Sequence, residues 1–142
     1  MRNIYRIITC LALLLPQYVA AQSLEEDGDL LSTALSAIAS GDWVTADHFA
    51  SQISEPAGRT LIVWQRLRRG EGDWQEYQDF LASHGDWPGL KRLRRRGERA
   101  IPVNYNPVAV RAYFADQLPQ TGTGSLRLTE AYAAQGRTAD AR

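Results

Sequence analysis

The segment "GDWQEYQDFLASHGDWPGLKRLRRRGERAI", residues 72–101, contains two apolar stripes with a short turn between them. The residues of the first stripe are Trp74, Tyr77, Phe80 and Leu81. The residues of the second are Leu90, Leu93, Gly97 and Ile101. Apolar residues that recur every three or four positions predict amphipathic helices. Because the turn between them is short, the segment predicts two helices that lie side by side and antiparallel.

The triplet Gly-Asp-Trp occurs twice in this segment and once before it, at residues 41–43. Asp42 and Asp73 are predicted helix N-caps, since a short carboxylate accepts from the free amides of a first turn. Asp73 and Glu76 also fit a capping box. In the third triplet Pro88 follows Trp87 and disfavours helical geometry there, so the next helix is predicted to begin at Pro88. The tryptophans are interpreted as covers for helix junctions, and stacking of Trp43, Trp74 or Trp87 on sugar rings is the alternative.

Helical signals also fill the rest of the chain. Ser23 and Glu26 fit a capping box before a first helix that ends at Gly41, and a second helix is predicted from Trp43 to Ile53. Further helices are expected from Pro56 to Gly70, from Asn106-Pro107 onward, and after the link "LPQTGTG" as far as Gly136. Convincing two-residue alternation is missing from the sequence, so the predicted fold class is all-α.

Two stretches are typical of a tetratricopeptide-type helical pair. They are "ALSAIASGDWVTADHFASQI", residues 34–53, and "RLTEAYAAQGRTADAR", residues 127–142. Each places small residues on a first helix, then a glycine turn, then a second helix with an early alanine. The expected architecture is therefore a superhelix of stacked antiparallel hairpins. The second pair stops just as its second helix begins, so the solenoid is expected to be incomplete at the C-terminus.

The first 21 residues are predicted to be a signal peptide. Arg2 and Arg6 precede an apolar run, residues 7–15, and small residues place the expected cleavage after Ala21. The run is shorter than the roughly 20 residues of a membrane-spanning helix. Cys10 is the only cysteine, so the mature chain is expected to have neither a disulfide nor a thiolate nucleophile. It would keep 14 Lys and Arg against 16 Asp and Glu, a balance that gives no reason to expect nucleic acid as a partner.

The basic run at residues 91–99 is the candidate binding feature. Its cations are Lys91, Arg92, Arg94, Arg95, Arg96 and Arg99. The simplest interpretation is a solvated helix face whose arginines cover apolar neighbours or pair with Glu98 or Asp86. The functional interpretation is a positive surface for an anionic polymer, such as a cell-wall glycan that carries peptide carboxylates. Arg92, Arg95 and Arg99 are the predicted substrate-binding residues.

No catalytic, metal or cofactor site is expected. The carboxylates considered are Glu25, Glu26, Asp27, Asp73, Glu76 and Asp79. They are interpreted as first-turn and surface acids, whereas glycoside cleavage needs an acid with a raised pKa in a cleft. His48 and His84 lack the second ligand that a metal site requires, and nucleotide-binding fingerprints are absent from the sequence.

The stretches "GDWVTADHFASQI" and "FLASHGDWPGLKRLRRRGERAI" resemble the amino-terminal region of soluble lytic murein transglycosylases of the alphaproteobacterial type. The resemblance extends from about Leu30 to Ala141. It implies a periplasmic enzyme that cleaves the β-1,4 bond between N-acetylmuramic acid and N-acetylglucosamine of peptidoglycan and leaves 1,6-anhydro ends. It also implies an α-superhelix before a lysozyme-like catalytic domain, and neither a metal nor an organic cofactor.

The chain departs from the family pattern in one respect. The family's catalytic glutamate precedes a serine, and a "GLMQL"-like segment follows; neither is present here. Residues 22–142 are therefore expected to be the N-terminal part of the superhelical domain, inactive alone. The chain is expected to bind glycan strands as part of the full-length enzyme, with the missing C-terminal catalytic domain as its partner. A membrane segment is not expected after signal cleavage. The alternative is an exported tetratricopeptide-like adaptor that binds a protein partner.

Overall fold

A computed structural model describes residues 24–115 and 117–136, and every regular element in this part of the chain is an α-helix. Residues 24–40 are helical and are called α1. The six helices that follow are α2 (Trp43–Ala50), α3 (Pro56–Arg69), α4 (Trp74–Ser83), α5 (Leu90–Ala100), α6 (Pro107–Phe114) and α7 (Gly122–Ala134). The predicted all-α class is confirmed. The predicted signal peptide, Ser23 of the first capping box, and residues 137–142 of the last helical pair lie outside the described residues.

The chain divides into two compact units, and the boundary lies inside α3, between Gln65 and Arg66. Each unit has its own apolar core. The core of the N-terminal unit consists of Ala34, Ala37, Ile38, Ala46, Ile53 and Ile62. The core of the C-terminal unit includes a cluster of Trp74, Ile101, Val110, Phe114 and Ala131. Within the C-terminal unit, α4 packs on α5, α6 packs on α7, and α5 contacts α7.

The first two Gly-Asp-Trp triplets begin helices as predicted. Asp42 accepts a hydrogen bond from the Thr45 amide at 3.1 Å, and hydrogen bonds from Thr45 lower the pKa of its carboxyl group. Asp73 accepts from the Glu76 amide at 2.9 Å, and the Glu76 carboxylate accepts from the Asp73 amide at 2.9 Å, so the capping box is complete. Gly41 ends α1 with a φ of 79°, a conformation that glycine adopts without strain.

The third triplet has a different geometry, and the prediction that α5 begins at Pro88 is wrong. The helix begins at Leu90, after Gly89. Gly89 has a φ of 76°, which is a left-handed backbone conformation. A right-handed helix cannot pass through such a residue, so α5 cannot extend back to Pro88. Trp87 lies outside the helix, as predicted, and its amide donates to the His84 carbonyl at 3.2 Å.

Two other helix boundaries differ from the sequence-based predictions. Helix α2 ends at Ala50 rather than Ile53, because the amides of Gln52 and Ile53 donate to carbonyls three residues back and tighten the chain into a turn. Helix α7 begins at Gly122, so the last three of the seven residues in the predicted "LPQTGTG" link belong to its first turn. Thr121 stabilises that turn by accepting from the Gly124 amide at 3.0 Å.

Two buried carboxylates each stabilise the start of a helix that comes two elements later. Asp27 of α1 accepts from the amides of Ser54 at 2.8 Å and Glu55 at 2.7 Å, the two residues that precede α3. Glu98 of α5 accepts from the Gln120 amide at 2.8 Å and the Thr121 hydroxyl at 2.7 Å. These two residues precede α7. We call each arrangement a long-range cap, since the acceptor comes from a distant helix and not from the usual N-cap residue.

Helix α5 is held closely by its neighbours in the C-terminal unit. A side chain at Gly97 would place its Cβ 2.5 Å from the Tyr113 hydroxyl and 3.1 Å from Tyr77 Cβ, so a larger residue would require Tyr113 to shift. The Tyr113 hydroxyl donates to the Arg94 carbonyl at 2.8 Å. Burial raises the pKa of Tyr113 above its ordinary range and raises that of Tyr77 to about 12. The buried Tyr77 hydroxyl donates to the Leu67 carbonyl at 2.9 Å.

Candidate functional site

The exposed face of α5 is the most distinctive surface of the C-terminal unit. Four residues of the helix are exposed, and all four are cations: Lys91, Arg92, Arg95 and Arg99. At 3.6 residues per turn they fall within an arc of about 100° and extend about 12 Å along the helix axis. We call this set the cationic strip. It contains the three predicted substrate-binding residues, Arg92, Arg95 and Arg99, together with Lys91.

The other two arginines of α5 have structural contacts. Arg94 donates to the Tyr113 carbonyl at 3.2 Å, and its guanidinium lies 5.9 Å from the centre of the Tyr113 ring. Arg96 is half-buried and lies beside Gly70, where an added Cβ would come within 3.3 Å of the guanidinium. The basic run is therefore divided into inward arginines that support the packing and outward cations that do not.

The cationic strip is not neutralised by acids among residues 24–115 and 117–136. The expected pairing with Glu98 does not form, because Glu98 is 2% exposed and its carboxylate is turned toward Gln120 and Thr121. Asp86 makes no ion pair within this part of the chain either. Arg66–Glu76 and Arg127–Glu130 are ion pairs among the described residues of the C-terminal unit, and neither includes a strip residue.

The strip begins where cations are unfavourable for the helix itself. Gly89 gives α5 no side-chain cap, and acidic residues are missing from its first turn. Lys91 and Arg92 occupy that turn, beside the positive end of the helix dipole. A cation in this position costs a helix about 0.3–1 kcal/mol. Helix stability therefore does not account for these two residues, and a residue that breaks a local stability rule points to a functional reason.

The loop before α7 completes the site. The long-range cap holds the Gln120 backbone against Glu98, and the Gln120 side-chain amide donates to the Lys91 carbonyl at 3.4 Å. Gln120 then borders a shallow depression of about 300 Å³. Its lining residues are Gly89, Lys91, Arg92, Arg95 and Gln120. The depression offers three cationic side chains and one amide, so the group that it suits is an anion with acceptor oxygens.

The tryptophans of the triplets do not form an open aromatic surface. Trp74 is 4% exposed and belongs to the core of the C-terminal unit. Trp43 is partly buried against the core of the N-terminal unit. Trp87 is also partly buried, with ring centres 5.6 Å from Phe80 and 5.7 Å from His84. Trp74 cannot stack on a sugar ring, and the other two are mainly packing residues.

Sequence reasoning missed the buried acids. Asp27, predicted to be a first-turn surface acid, is 9% exposed, and Glu98, predicted as a partner for arginines, is 2% exposed. Both carboxylates accept hydrogen bonds from backbone amides, and Glu98 also accepts one from a hydroxyl group. Groups of three or more potential metal ligands do not occur in the described ranges. Helices there are also too short or too polar to cross a membrane.

Lys91 and Gln120 are the members of the site that the sequence-based prediction left out. Lys91 could have been found by projecting the basic run on a helical wheel, where it lies in the same arc as Arg95 and Arg99. Gln120 is 29 residues from Lys91 and carries no local signal. Comparison of the chain with family models, with curated proteins and with solved structures finds no match.

Proposed function

We propose that this chain is the N-terminal part of the α-superhelix of a periplasmic lytic transglycosylase, and that its cationic strip contacts peptidoglycan. The reaction of such an enzyme would be cleavage of the β-1,4 bond between N-acetylmuramic acid and N-acetylglucosamine, with a 1,6-anhydro product. The chain itself would not catalyse this step. Its role would be to position glycan strands for a catalytic domain. The observation that carries the proposal is the wholly cationic exposed face of α5.

The repeated long-range cap supports a solenoid of helical pairs. In both units a carboxylate of one helix binds the two residues just before the helix two elements later. In both, the third residue of that later helix is a glycine, Gly58 in α3 and Gly124 in α7. A side chain at either glycine would meet a neighbour, Ile53 or Glu98. Equivalent contacts at equivalent positions are what stacked repeats produce.

Sacculus binding tests the proposal directly. Purified peptidoglycan sacculi are mixed with the chain at low salt and sedimented, and the bound fraction is measured. We expect binding that is reduced about tenfold when Arg92, Arg95 and Arg99 are all changed to Ser, since each exposed charge contact contributes about 0.2–1 kcal/mol. A variant with Ser32→Glu, Ala39→Glu and Val44→Glu changes the net charge equally in the N-terminal unit and should bind normally.

Two further observations could contradict the proposal. A zymogram with purified cell wall should show no lysis by this chain, and lysis would mean that it carries an active site. The coding sequence beyond Arg142 should contain a lysozyme-like segment with a glutamate–serine pair. A stop codon directly after Arg142, with a folded product, would exclude the transglycosylase.

An adaptor that binds a protein partner is the second candidate, and a separate surface favours it. Val103, Tyr105 and Val108 are 64%, 37% and 65% exposed around the connection from α5 to α6. A depression of about 200 Å³ lies beside them, with Tyr105 in its lining. Exposed apolar side chains that cluster at a depression are typical of protein-binding surfaces. Val108→Ser would weaken such a complex and leave sacculus binding unchanged.

A further inference from the structure

We infer that the cationic strip recognises the ionised carboxylates of the peptide stems, rather than the sugars, of the polymer that it meets. The inference rests on the proposed function, and it adds the chemical group that is bound. It predicts that α5 responds to how many free carboxylates a region of the wall carries. A strip of this kind would distinguish modified from unmodified peptidoglycan.

The composition of the strip excludes sugar rings as its main ligand. Sugars present flat apolar faces and neutral hydroxyls, and aromatic side chains are the usual partners for such faces. Helix α5 has no aromatic residue, and none of its exposed residues is apolar. Four cations without an acid among them instead attract an anion, and the planar guanidinium fork of arginine matches a carboxylate.

The spacing of the strip fits a ligand with several carboxylates. Along the helix axis the step from Arg92 to Arg95 is about 4.5 Å, and the step from Arg95 to Arg99 is about 6 Å. One carboxylate can lie in the depression between Lys91, Arg92 and Gln120, and a second can reach Arg95 or Arg99. Separate single anions would gain little, because an isolated exposed charge pair is weak. Two or more carboxylates on one chain bind together at a high effective concentration.

A lipid surface is a poorer match. Basic helices that bind membranes insert an apolar face among the acyl chains while their cations contact headgroups. The apolar face of α5 is turned inward, and Leu93 is 0% exposed. A second copy of this chain is the other anionic candidate, because residues 24–65 carry seven acids and one arginine. Three exposed acids there, Glu25, Glu26 and Asp29, lie together on α1, and the others are on separate elements. A second copy therefore offers a shorter anionic surface than a polymer that carries carboxylates on successive peptide stems.

The decisive experiment changes the ligand and the protein together. Binding of the chain is measured on untreated sacculi, on sacculi whose carboxylates have been amidated with carbodiimide and ammonia, and on glycan strands stripped of peptides by an amidase and then amidated in the same way. The second amidation is needed because the amidase leaves a free lactyl carboxylate on each N-acetylmuramic acid. We expect amidation and stripping each to weaken binding about tenfold. In the triple variant with Arg92→Ser, Arg95→Ser and Arg99→Ser, amidation should have little further effect, because Lys91 is the one cation of the strip that remains. Equal binding to untreated and amidated sacculi would overturn the inference.

A conservative variant separates charge from folding. Arg92→Lys, Arg95→Lys and Arg99→Lys together retain the charge and should retain most of the binding. The circular dichroism spectra of both triple variants should match that of the parent chain. Binding should also weaken as salt is raised, because the Debye length shrinks from about 10 Å at 0.1 M to about 3 Å at 1 M. Salt-independent binding would contradict an electrostatic strip.

Poly-L-glutamate distinguishes failure of this inference from failure of the proposed function. Binding to poly-L-glutamate without binding to sacculi would exclude the peptidoglycan role and leave the carboxylate preference in place. Binding to sacculi without binding to poly-L-glutamate would overturn the carboxylate preference alone. Tighter binding to vesicles of anionic lipid, or self-association that the triple Ser variant abolishes in sedimentation velocity, would replace the inference with a lipid or a second copy.

Discussion

The two compact units share a structural arrangement and differ in surface charge. Each has one buried carboxylate, Asp27 or Glu98, that caps a helix two elements later. Yet residues 24–65 carry seven acids and one arginine, whereas the described residues from Arg66 onward carry eleven Lys and Arg and seven acids. The acid that maintains the fold is inward in both units, so the outer faces are free to acquire opposite charges. The comparison separates the residues of the fold from those of the proposed site.

Removal of a buried carboxylate should have the largest effect, and more so in the C-terminal unit. Glu98→Ala leaves the Gln120 amide and the Thr121 hydroxyl without an acceptor, and hydrogen bonds to a charged group contribute about 1.5–3 kcal/mol. We expect a loss of about 3 kcal/mol in the free energy of unfolding. For Asp27→Ala we expect about 2 kcal/mol, because Asp27 lies nearer to water.

Urea unfolding followed by circular dichroism measures these losses. Hydrogen exchange at the amides of Gln120 and Ser54 assigns each loss to its unit. If both variants unfolded at the parent's midpoint, the long-range caps would contribute nothing to stability.

The second largest effect should be a difference between the two units in stability at alkaline pH. The pKa of Tyr77 is raised to about 12 in the folded chain from about 10, so the folded state keeps a proton that the unfolded state loses. The contribution of Tyr77 to stability is therefore constant below pH 10 and is lost between about pH 10 and 12, by up to about 3 kcal/mol. Burial also raises the pKa of Tyr113 in the same unit, so its ionisation destabilises the unit in the same direction. Residues 24–65 contain no tyrosine, so the N-terminal unit should not share this loss.

Limited proteolysis in this pH range, read by mass spectrometry, should cut the C-terminal unit first. In a Tyr77→Phe variant the fall with pH should be smaller. Simultaneous alkaline unfolding of both units would contradict the assignment to Tyr77.

A matched pair of glycine substitutions tests the packing around Glu98. At Gly124 an added Cβ would collide with the Glu98 carboxylate, whereas at Gly122 nothing lies within 4 Å. We expect Gly124→Ala to lower stability by about 1–3 kcal/mol and Gly122→Ala to be neutral or slightly stabilising. Thermal melts of the two variants provide the measurement. If Gly58→Ala, in the equivalent position of α3, behaves like Gly124→Ala, the two units are more alike than their sequences indicate.

The smallest effect concerns the strip and the dipole of α5. Arg92 lies in the first turn and Arg99 in the last, so their charges have opposite effects on the helix. Arg92→Glu should raise the free energy of unfolding by about 0.3–1 kcal/mol, and Arg99→Glu should lower it by a similar amount. Both should weaken sacculus binding. A loss of stability in both variants would mean that Arg92 has a structural role after all.

Much of the fold could be predicted from the sequence because its signals are local. Asp42, Asp73 and Asn106 cap the residues that immediately follow them, and the structure confirms all three. The start of α7 was missed because glycines at residues 122 and 124 indicate a loop by their local propensity. A tertiary contact explains the glycine at residue 124, because a side chain there would collide with the Glu98 carboxylate.

The candidate site was only partly predictable for the same reason. The positions of Arg92, Arg95 and Arg99 on one helix face follow from their spacing alone. The lack of an ion pair between these arginines and Glu98 could not be predicted in this way. It depends on the position of residues 120 and 121, which bind the Glu98 carboxylate. The spacing of residues along the sequence predicts which side chains share a helix face. Whether an acid pairs with those side chains depends on residues from other parts of the chain.

The long-range caps also set an order in which the chain can be completed. Each acceptor precedes its donors, Asp27 by 27 and 28 residues and Glu98 by 22 and 23. As the chain leaves the ribosome, the carboxylate is already present when the next helix start emerges. The helix that is synthesised first thus provides the hydrogen-bond acceptor for the start of the later helix. In a nascent chain that lacks α1, the amides before α3 would have no carboxylate acceptor. The loss of α1 would therefore impair the start of α3, although α2 lies between them in the sequence.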